Sequence, residues 1–226
     1  YRTASIKQMT GVEEEIIVDP KLSRNAGKLI TELLRSVVVE LEGKKPSVDD
    51  IRKLSIGDRD YLLMELRKIS LGDEMDMSFQ CTACNSTQEL MVNISDCEIK
   101  YGDKEANGEM PVELIDGWKD QEGVVHKEVT AKFPDGFTQE RTAAVMRQNV
   151  ARGNTEMLTL SIIRIGEDIK ATSAMVRNFT KRDRDVLVKN ISRDAPGPKL
   201  MTMVDCMDCG ANFETMLDLS NFFVLT

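Results

Sequence analysis

Apolar residues in the first half of the chain follow two different periods. Between residues 29 and 41 they recur at the three- to four-residue spacing of one helix face. The positions concerned are Leu29, Ile30, Leu33, Leu34, Val37, Val38 and Leu41. The pattern predicts a helix with one buried face that stops near Gly43. Further along, Met75, Met77 and Phe79 alternate with polar residues, which predicts a strand half-buried on a core.

Two shorter helices are predicted between these segments. Ser47 and Asp50 have the spacing of a capping box and start the first of them. After a break at Gly57, Asp58 is placed to cap the second, which ends at Gly72. The strand that follows runs into a CxxC motif and returns through further apolar residues. This order predicts helices followed by a hairpin with two cysteines at its tip.

The same pattern occurs a second time. A shift of 125 places superimposes the segment around residues 29–96 on the segment around residues 154–221 without a gap. Under this shift Asp58, Arg59 and Asp60 fall on Asp183, Arg184 and Asp185, and Cys81 and Cys84 fall on Cys206 and Cys209. Scattered apolar matches arise by chance, but one register that joins a charged triplet to a CxxC motif is much harder to obtain. The sequence therefore predicts an internal duplication.

The predicted fold class is α+β, with two units related by an approximate two-fold axis. Each unit consists of helices and a CxxC-bearing β-hairpin. Residues 1–97 are the first unit and residues 133–226 the second. Residues 98–132 are rich in Gly, Asp and Glu and are predicted to be a linker or surface excursion, to which Val124, Val125 and Val129 can add a strand or two.

Four cysteines form the strongest chemical signal. Two CxxC motifs at hairpin tips supply four thiolates, the number that a closed structural zinc site requires. Cys81 and Cys84 are far from Cys206 and Cys209 in the chain, so the fold must bring the tips together. Units related by two-fold symmetry do this, and zinc would then join the halves. Four sulfur ligands leave no open position for water or substrate, so the predicted role of zinc is structural.

Other interpretations of these cysteines stay open at this point. A redox CxxC needs a lowered thiol pKa in a strand-to-helix context, whereas strands flank both motifs here. Disulfides are rare in cytosolic proteins, and the chain has the character of one. A degraded metal site with four reduced thiols is the remaining alternative. Cys97 is a fifth cysteine, and a role as buried apolar filler is favoured for it.

The charge balance narrows the class of partners. The 226 residues include 30 Lys and Arg against 38 Asp and Glu, which gives a net charge of −8. Nucleic-acid binding is driven largely by phosphate neutralisation, so a sequence-blind nucleic-acid binder is disfavoured. No apolar run approaches the roughly 20 residues of a membrane helix, and no phosphate-binding loop or dinucleotide fingerprint is present. We therefore expect no nucleic acid, membrane or small-molecule substrate among the partners.

Few other side chains indicate chemistry. His126 is the only histidine, has no motif around it and is expected at the surface. The two Asp-Arg-Asp triplets open helices, where carboxylates cap backbone amides. Arg59 and Arg184 are candidates for pairing with acidic groups of the other half or of a partner. Phe222 and Phe223 belong to an apolar C-terminal segment that either packs on its own domain or docks on a neighbour.

The assembled motifs resemble one protein family. They are the run Leu54-Ser55-Ile56-Gly57-Asp58-Arg59-Asp60-Tyr61-Leu62-Leu63, then Leu66-Arg67, Leu71-Gly72-Asp73 and Cys81-Thr82-Ala83-Cys84. This set is similar to baseplate proteins of contractile-tailed phages and related injection systems, above all the T-even-type baseplate hub or hub-assembly chaperone family. The resemblance covers most of residues 29–96 and, more faintly, residues 154–221.

The resemblance implies a structural or assembly protein without enzymatic activity. It would be a hub component or a chaperone of hub assembly, with other baseplate and tail proteins as partners. Its location would be the virion tail baseplate, or the host cytoplasm during assembly. The main alternative is a cytosolic zinc-ribbon adaptor in transcription or RNA processing, for which a basic, aromatic strip is expected.

Overall fold

The computed structural model describes residues 3–102 and 108–217. The helices in these residues are α1 (Gly11–Ile17), α2 (Ala26–Val37), α3 (Val48–Lys53), α4 (Ile56–Leu71), α5 (Gly136–Gln148), α6 (Val150–Ser161), α7 (Ser173–Arg177) and α8 (Lys181–Asp194). The strands are β1 (Ala4–Ile6), β2 (Val38–Leu41), β3 (Glu74–Gln80), β4 (Thr87–Asn93), β5 (Ile99–Lys100), β6 (Glu109–Lys119), β7 (Val125–Lys132), β8 (Ile162–Ile165), β9 (Gly197–Pro198), β10 (Met201–Asp205) and β11 (Asn212–Met216). The predicted α+β class is confirmed.

The strands of the described residues form small antiparallel sheets. Four sheets have two strands each and pair β1 with β2, β3 with β4, β5 with β9, and β10 with β11. The remaining sheet has three strands in the order β6-β7-β8. Because a two-stranded hairpin is at best marginally stable alone, each hairpin depends on the helices and strands against which it packs.

The first predicted helix ends earlier than its apolar pattern indicates. Helix α2 ends at Val37, and Val38–Leu41 form β2, which pairs with β1. The run Val37–Val39 favours an extended backbone, because branched side chains are restricted in a helix and pack well on a sheet. Val38 and Leu41 are both buried, so the inward-facing pattern continues while the backbone changes from helix to strand.

The charged triplets lie in the first turns of helices, but their aspartates are not the capping residues. Ser55 caps α4, and the Asp58 carboxylate accepts a hydrogen bond from the Ser55 hydroxyl at 2.8 Å. Thr180 caps α8. Asp183 is fully buried and accepts hydrogen bonds from the backbone N–H groups of residues 115–117 in β6. The expected capping role of the aspartates is therefore wrong, and Asp183 instead satisfies three amides of an irregular strand.

Eight elements recur in the same order along the chain. A first series, β1-α1-α2-β2-α3-α4-β3-β4, is followed by a second series, β7-α5-α6-β8-α7-α8-β10-β11. The pairing of β1 with β2 changes register after Ser5, and that of β7 with β8 changes register after Thr130. These two irregularities occupy equivalent places. The correspondence extends beyond the segments matched by sequence and pairs α1 with α5.

The shift between equivalent residues is not constant. Strand β2 begins at Val38 and β8 begins at Ile162, which is a shift of 124. From α3 onwards the shift is 125, because the connection from β8 to α7 is one residue longer than that from β2 to α3. The ungapped register is therefore wrong by one residue over the first helix and strand. Leu34, rather than Leu33, is equivalent to Leu158 there.

Two hydrophobic cores lie within the described residues. The first contains the buried faces of α2, α3, α4 and β3. The second contains buried residues of β6, β7 and β8 together with α6, α7 and α8. Hairpin β10–β11 belongs to the second series, yet Val204, Cys206, Phe213 and Leu217 lie in the first core. The two hairpins thus share one core.

Most of the segment 98–132 is not an excursion from the fold. Its described part includes β6 and β7, on which Val112, Leu114 and Val129 are buried in the second core. Along β6 buried and exposed residues alternate, so one face of the strand is apolar although the segment as a whole has a polar composition. The predicted units 1–97 and 133–226 follow chain order, whereas the two cores do not.

Arg59 connects three helices of the first series to α5. Its side chain is fully buried and donates hydrogen bonds to the carbonyl oxygens of Gly27 and Ile51, to the Thr31 hydroxyl and to the Gln139 side chain, at 2.9–3.1 Å. Burial lowers the pKa of Arg59 to about 10, so the guanidinium is charged at neutral pH. The contact with Gln139 reaches the second series, but its acceptor is a neutral amide and not the predicted acidic group.

Arg184 is the equivalent residue and makes a smaller set of contacts. It is half-buried and donates to the Val176 carbonyl oxygen and the Thr155 hydroxyl, the counterparts of Ile51 and Thr31. In both series, therefore, an arginine of the long helix ties together the two helices that precede it.

Helices α2 and α5 approach closely at Gly27. A Cβ atom at this position would lie 2.6 Å from the Glu140 backbone nitrogen, which is closer than real contacts allow. The Glu140 carboxylate accepts hydrogen bonds from the Thr31 hydroxyl at 2.6 Å and from Arg52 Nε at 3.0 Å. This polar junction joins the two series directly.

Replacing the buried arginine should destabilise the fold strongly. In Arg59→Met, the Gly27 and Ile51 carbonyl oxygens lose their charged donor, and we expect a loss of about 3 kcal/mol in the free energy of unfolding. Arg35→Met is the control, because Arg35 is exposed and pairs with Glu32 at the surface, where such pairs contribute about 0.5 kcal/mol. Urea denaturation measures both. Equal effects of the two substitutions would contradict the structural role of Arg59.

Candidate metal centre

The two CxxC motifs lie at the tips of equivalent hairpins. In β3–β4 the last strand pair is Gln80 with Thr87, and in β10–β11 it is Asp205 with Asn212. The inner faces of both hairpins carry buried apolar residues, namely Met75, Met77, Phe79, Val204 and Phe213. Both inner faces pack into the first core, which brings the two tips together.

Each tip is folded by the same backbone hydrogen bonds. Cys81 N–H donates to the Ser86 carbonyl oxygen, and Cys206 N–H donates to that of Ala211, both at 2.9 Å. The residue after the second cysteine is left-handed in both tips, with φ 61° at Asn85 and 69° at Gly210. Glycine adopts this conformation freely and asparagine tolerates it better than most residues. The sequences after the CxxC motifs therefore suit the turns that aim both sulfurs at one point.

The turns bring four sulfur atoms together. The Sγ atoms of Cys81, Cys84, Cys206 and Cys209 all lie within 4.8 Å of one another. Cys81 Sγ is 3.8 Å from Cys209 Sγ, and Cys84 Sγ is 3.7 Å from Cys206 Sγ. Each of these short distances joins one hairpin to the other. The four cysteines singled out in the sequence thus form one cluster.

The cluster has the dimensions of a tetrahedral metal site. Zinc–sulfur bonds of about 2.3 Å place neighbouring sulfurs about 3.8 Å apart, which matches the two short distances. A disulfide requires about 2.05 Å, so no pair of these cysteines is bonded. Cys81 and Cys206 are buried while Cys84 and Cys209 are exposed, which leaves a path by which an ion can enter. The arrangement can hold one metal ion with four thiolates.

Hydrogen bonds shift the pKa values of Cys84, Cys206 and Cys209 in different directions. The Ser86 hydroxyl lowers the pKa of Cys84, and it lowers the pKa of Cys206 to about 6. The backbone N–H of Ala211 acts to lower the pKa of Cys209, but the neighbouring sulfurs of Cys206 and Cys84 outweigh it and the pKa is raised to about 12. Metal binding must therefore release protons from this cluster, since thiolates are the ligands.

The comparison with protein families bears on the whole chain. A family model described as T4 bacteriophage base plate protein matches residues 1–224. The chain belongs to this family. Searches of curated proteins and of solved structures give no match. The resemblance stated on the sequence motifs is confirmed at the level of the baseplate family.

Membership in the baseplate family supports a structural or assembly role in a phage baseplate. It also implies contacts with other baseplate or tail proteins, suggests a place in the virion tail, and suggests that this baseplate protein is not an enzyme. Among the helices of the described residues we find no candidate for a membrane-spanning segment.

Cys97 lies apart from the four-cysteine cluster of this baseplate protein. It is half-buried against the first core. Burial raises the pKa of the Cys97 thiol, and the nearby carboxylates of Asp96 and Asp73 add to this effect. Its environment is that of a packing residue.

His126 forms a polar pair that the sequence pattern did not indicate. Its Nε2 atom is 2.9 Å from Asp120 Oδ2, and its ring stacks on Trp118 with 5.7 Å between centroids. Hydrogen bonding to His126 lowers the pKa of Asp120. Because these residues lie on both sides of the β6–β7 turn, the pair fastens the turn. Only the hairpin register reveals this proximity.

Of the four residues predicted to bind partners, the structure describes two. Arg59 is fully buried and Arg184 half-buried, and both donate hydrogen bonds within the chain. Because Arg59 is buried, the predicted direct contact with a partner is wrong for this residue, which instead binds other parts of the same chain. Phe222 and Phe223 lie outside the described residues.

Two residues beside the cluster were missed in the sequence. Ser86 Oγ lies 3.0 Å from Cys84 Sγ and 3.4 Å from Cys206 Sγ. Gln88 is buried and hydrogen-bonds both to Ser86 and to the opposite tip. A polar residue at an inward-facing strand position is the signal that points to Gln88, because such positions are normally apolar.

Cobalt titration should show that the four clustered cysteines, and no other cysteine, hold the ion. We expect one Co²⁺ per chain, with the intense visible absorption of tetrahedral thiolate coordination. Cys84→Ser removes one ligand and should abolish this spectrum or weaken binding severely. Cys97→Ser is the matched control and should leave the spectrum unchanged, since Cys97 lies outside the cluster. A spectrum lost in Cys97→Ser would refute the assignment.

Proposed function

We propose that this baseplate-family protein is a non-enzymatic component of the baseplate hub, or a chaperone of hub assembly, held in shape by one structural zinc ion. The observation that carries the proposal is the meeting of Cys81 and Cys84 with Cys206 and Cys209 from two hairpins that are distant in the chain. Four sulfur ligands close the coordination sphere, so the ion supports structure rather than catalysis.

Zinc is favoured over other ions by the donor set. Tetrahedral sulfur sites hold zinc or iron, whereas oxygen-rich sites are typical of magnesium and calcium. Four thiolates give zinc its usual structural geometry and require no redox partner. Iron in the same site would colour the protein, so metal analysis distinguishes the two ions directly.

The ion would lock one hairpin of each series to the other. Both hairpins pack in the first core through Phe79 and Phe213. Zinc at their tips would add a cross-link between residues of the N-terminal and C-terminal parts, and because the site exists only in the folded chain, zinc binding stabilises the native state. A rigid scaffold of this kind suits a protein whose function is to present fixed surfaces to other baseplate proteins.

We infer that the two series arose by internal duplication. The support consists of eight elements in the same order, the equivalent register changes after Ser5 and Thr130, and the equivalent hydrogen bonds of Arg59 and Arg184. In chain order we propose 1–97 and 133–226 as the two units, with β7 (Val125–Lys132) as the strand of the second unit that corresponds to β1 and with β6 as a strand added to the second core.

The proposed partners are other baseplate and tail proteins, with no nucleic acid, membrane or small-molecule substrate. The location would be the virion tail baseplate or, during assembly, the host cytoplasm. A zinc-ribbon adaptor in transcription or RNA processing is disfavoured by the net charge of −8, which opposes contact with phosphates.

Removing zinc should destabilise the protein. Purified protein is expected to contain one zinc per chain and to melt at a lower temperature after chelation, because a ligand at 1000 times its dissociation constant stabilises the native state by about 4 kcal/mol. Re-addition of Zn²⁺ should restore the original melting temperature. The control is Cys84→Ser, which should melt at the same temperature with and without chelator. Metal-free protein that melts like the native form would contradict the structural role.

Mass spectrometry of purified phage particles and assembly intermediates tests the baseplate role. A hub component is expected in finished tails at a fixed copy number, whereas a chaperone is expected only in intermediates. Loss of the gene should block tail assembly in either case. Normal tail assembly without the protein would contradict both forms of the proposal.

A further inference from the structure

The two metal-binding tips differ at two positions although their backbones are alike. Ser86 of the first tip is equivalent to Ala211 of the second, and Gln88 is equivalent to Phe213. The shared backbone hydrogen bonds already shape each turn. The two polar side chains are therefore not needed to make a turn of this kind, and their contacts require a separate explanation.

Gln88 spans the gap between the tips. Its Oε1 atom accepts a hydrogen bond from the backbone N–H of Met207 at 2.8 Å, and its Nε2 atom donates to Asp208 Oδ2 at 3.1 Å. Met207 and Asp208 are the two residues between the cysteines of the second tip. Gln88 is only 5% exposed, so its side chain is shielded from solvent, whereas Met207 and Asp208 are exposed. One side chain of the first hairpin thus holds the second tip by its backbone.

Gln88 also determines which way the Ser86 hydroxyl points. Gln88 Nε2 donates to Ser86 Oγ at 2.9 Å, which occupies a lone pair of that oxygen. The hydroxyl keeps its proton and its other lone pair for the sulfurs, of which Cys84 Sγ at 3.0 Å and Cys206 Sγ at 3.4 Å are in range, and it is the donor once these sulfurs are thiolates. These sulfurs come from different hairpins. A proton donor lies where two metal ligands of opposite tips meet.

We propose that Ser86 and Gln88 are positioning residues for the metal ion, which assemble the four-sulfur site before the ion binds and then donate a hydrogen bond to its thiolates. This inference rests on the zinc site of the proposed function. Four thiolates around a divalent cation carry a net charge of −2, and a hydrogen bond to sulfur disperses this charge without a neighbouring cation. The chain as a whole is also acidic. Neutral hydrogen-bond donors such as Ser86 therefore help to keep the metal ion bound.

Zinc affinity measured by competition with a chromophoric chelator tests the proposal. Gln88→Leu and Ser86→Ala are expected to weaken Zn²⁺ binding about 10- to 100-fold, the usual effect of removing an outer-shell partner. Ser86→Ala installs the residue of the second tip and Ser86→Thr keeps the hydroxyl, so Ser86→Thr should retain the affinity of the native protein. Gln80→Leu is the matched control, because Gln80 is an exposed glutamine on the same hairpin.

Cobalt spectra separate positioning from general stability. Loss of the hydrogen bond to sulfur should shift the thiolate-to-cobalt charge-transfer band in Ser86→Ala, while Gln80→Leu and Ser86→Thr leave it in place. The proposal is overturned if Ser86→Ala and Gln88→Leu bind Zn²⁺ as tightly as Gln80→Leu and keep the native band. Native protein that binds no Zn²⁺ at all would instead overturn the zinc site of the proposed function.

Discussion

The meeting of four sulfur atoms within 4.8 Å is the constraint on which the arrangement of the chain depends. Four thiolates so close together would repel one another, so the arrangement needs either protons on some of the sulfurs or a cation at their centre. Both hairpin tips must therefore be delivered to one point by the rest of the fold. The shared first core, with Phe79 and Phe213 packed into it, provides this delivery. The metal chemistry and the hydrophobic packing thus require the same relative position of the two hairpins.

Much of this arrangement was predictable from residue spacing. The CxxC motifs, the alternation in β3 and the recurring Asp-Arg-Asp triplet indicated two hairpins with one shared site. Two features were not predictable. The apolar character of Phe213 predicts that it is buried but not in which core, and Val37 and Val38 fit an inward-facing pattern in helix and strand alike. Local patterns define elements, whereas the partners of these elements follow from the packing of the whole chain.

The polar contacts, too, were predictable only where a local sequence pattern carries the information. The ligands could be named because cysteine spacing carries chemistry, but Ser86, Gln88 and Arg59 act through residues far away in sequence. Arg59 was predicted to pair with acidic groups of the other half or of a partner. Its burial depends on carbonyl oxygens of α2 and α3 that are left to accept hydrogen bonds, and on the close contact at Gly27. Such acceptors become evident only when the helices have been placed.

The position of hairpin β10–β11 has a consequence for biosynthesis. The first core includes Val204, Phe213 and Leu217, which a ribosome adds long after helices α2, α3 and α4. The N-terminal helices must therefore leave the exit tunnel with part of their apolar surface uncovered, although N-terminal units usually fold first during synthesis. This surface stays uncovered until hairpin β10–β11 has been synthesised.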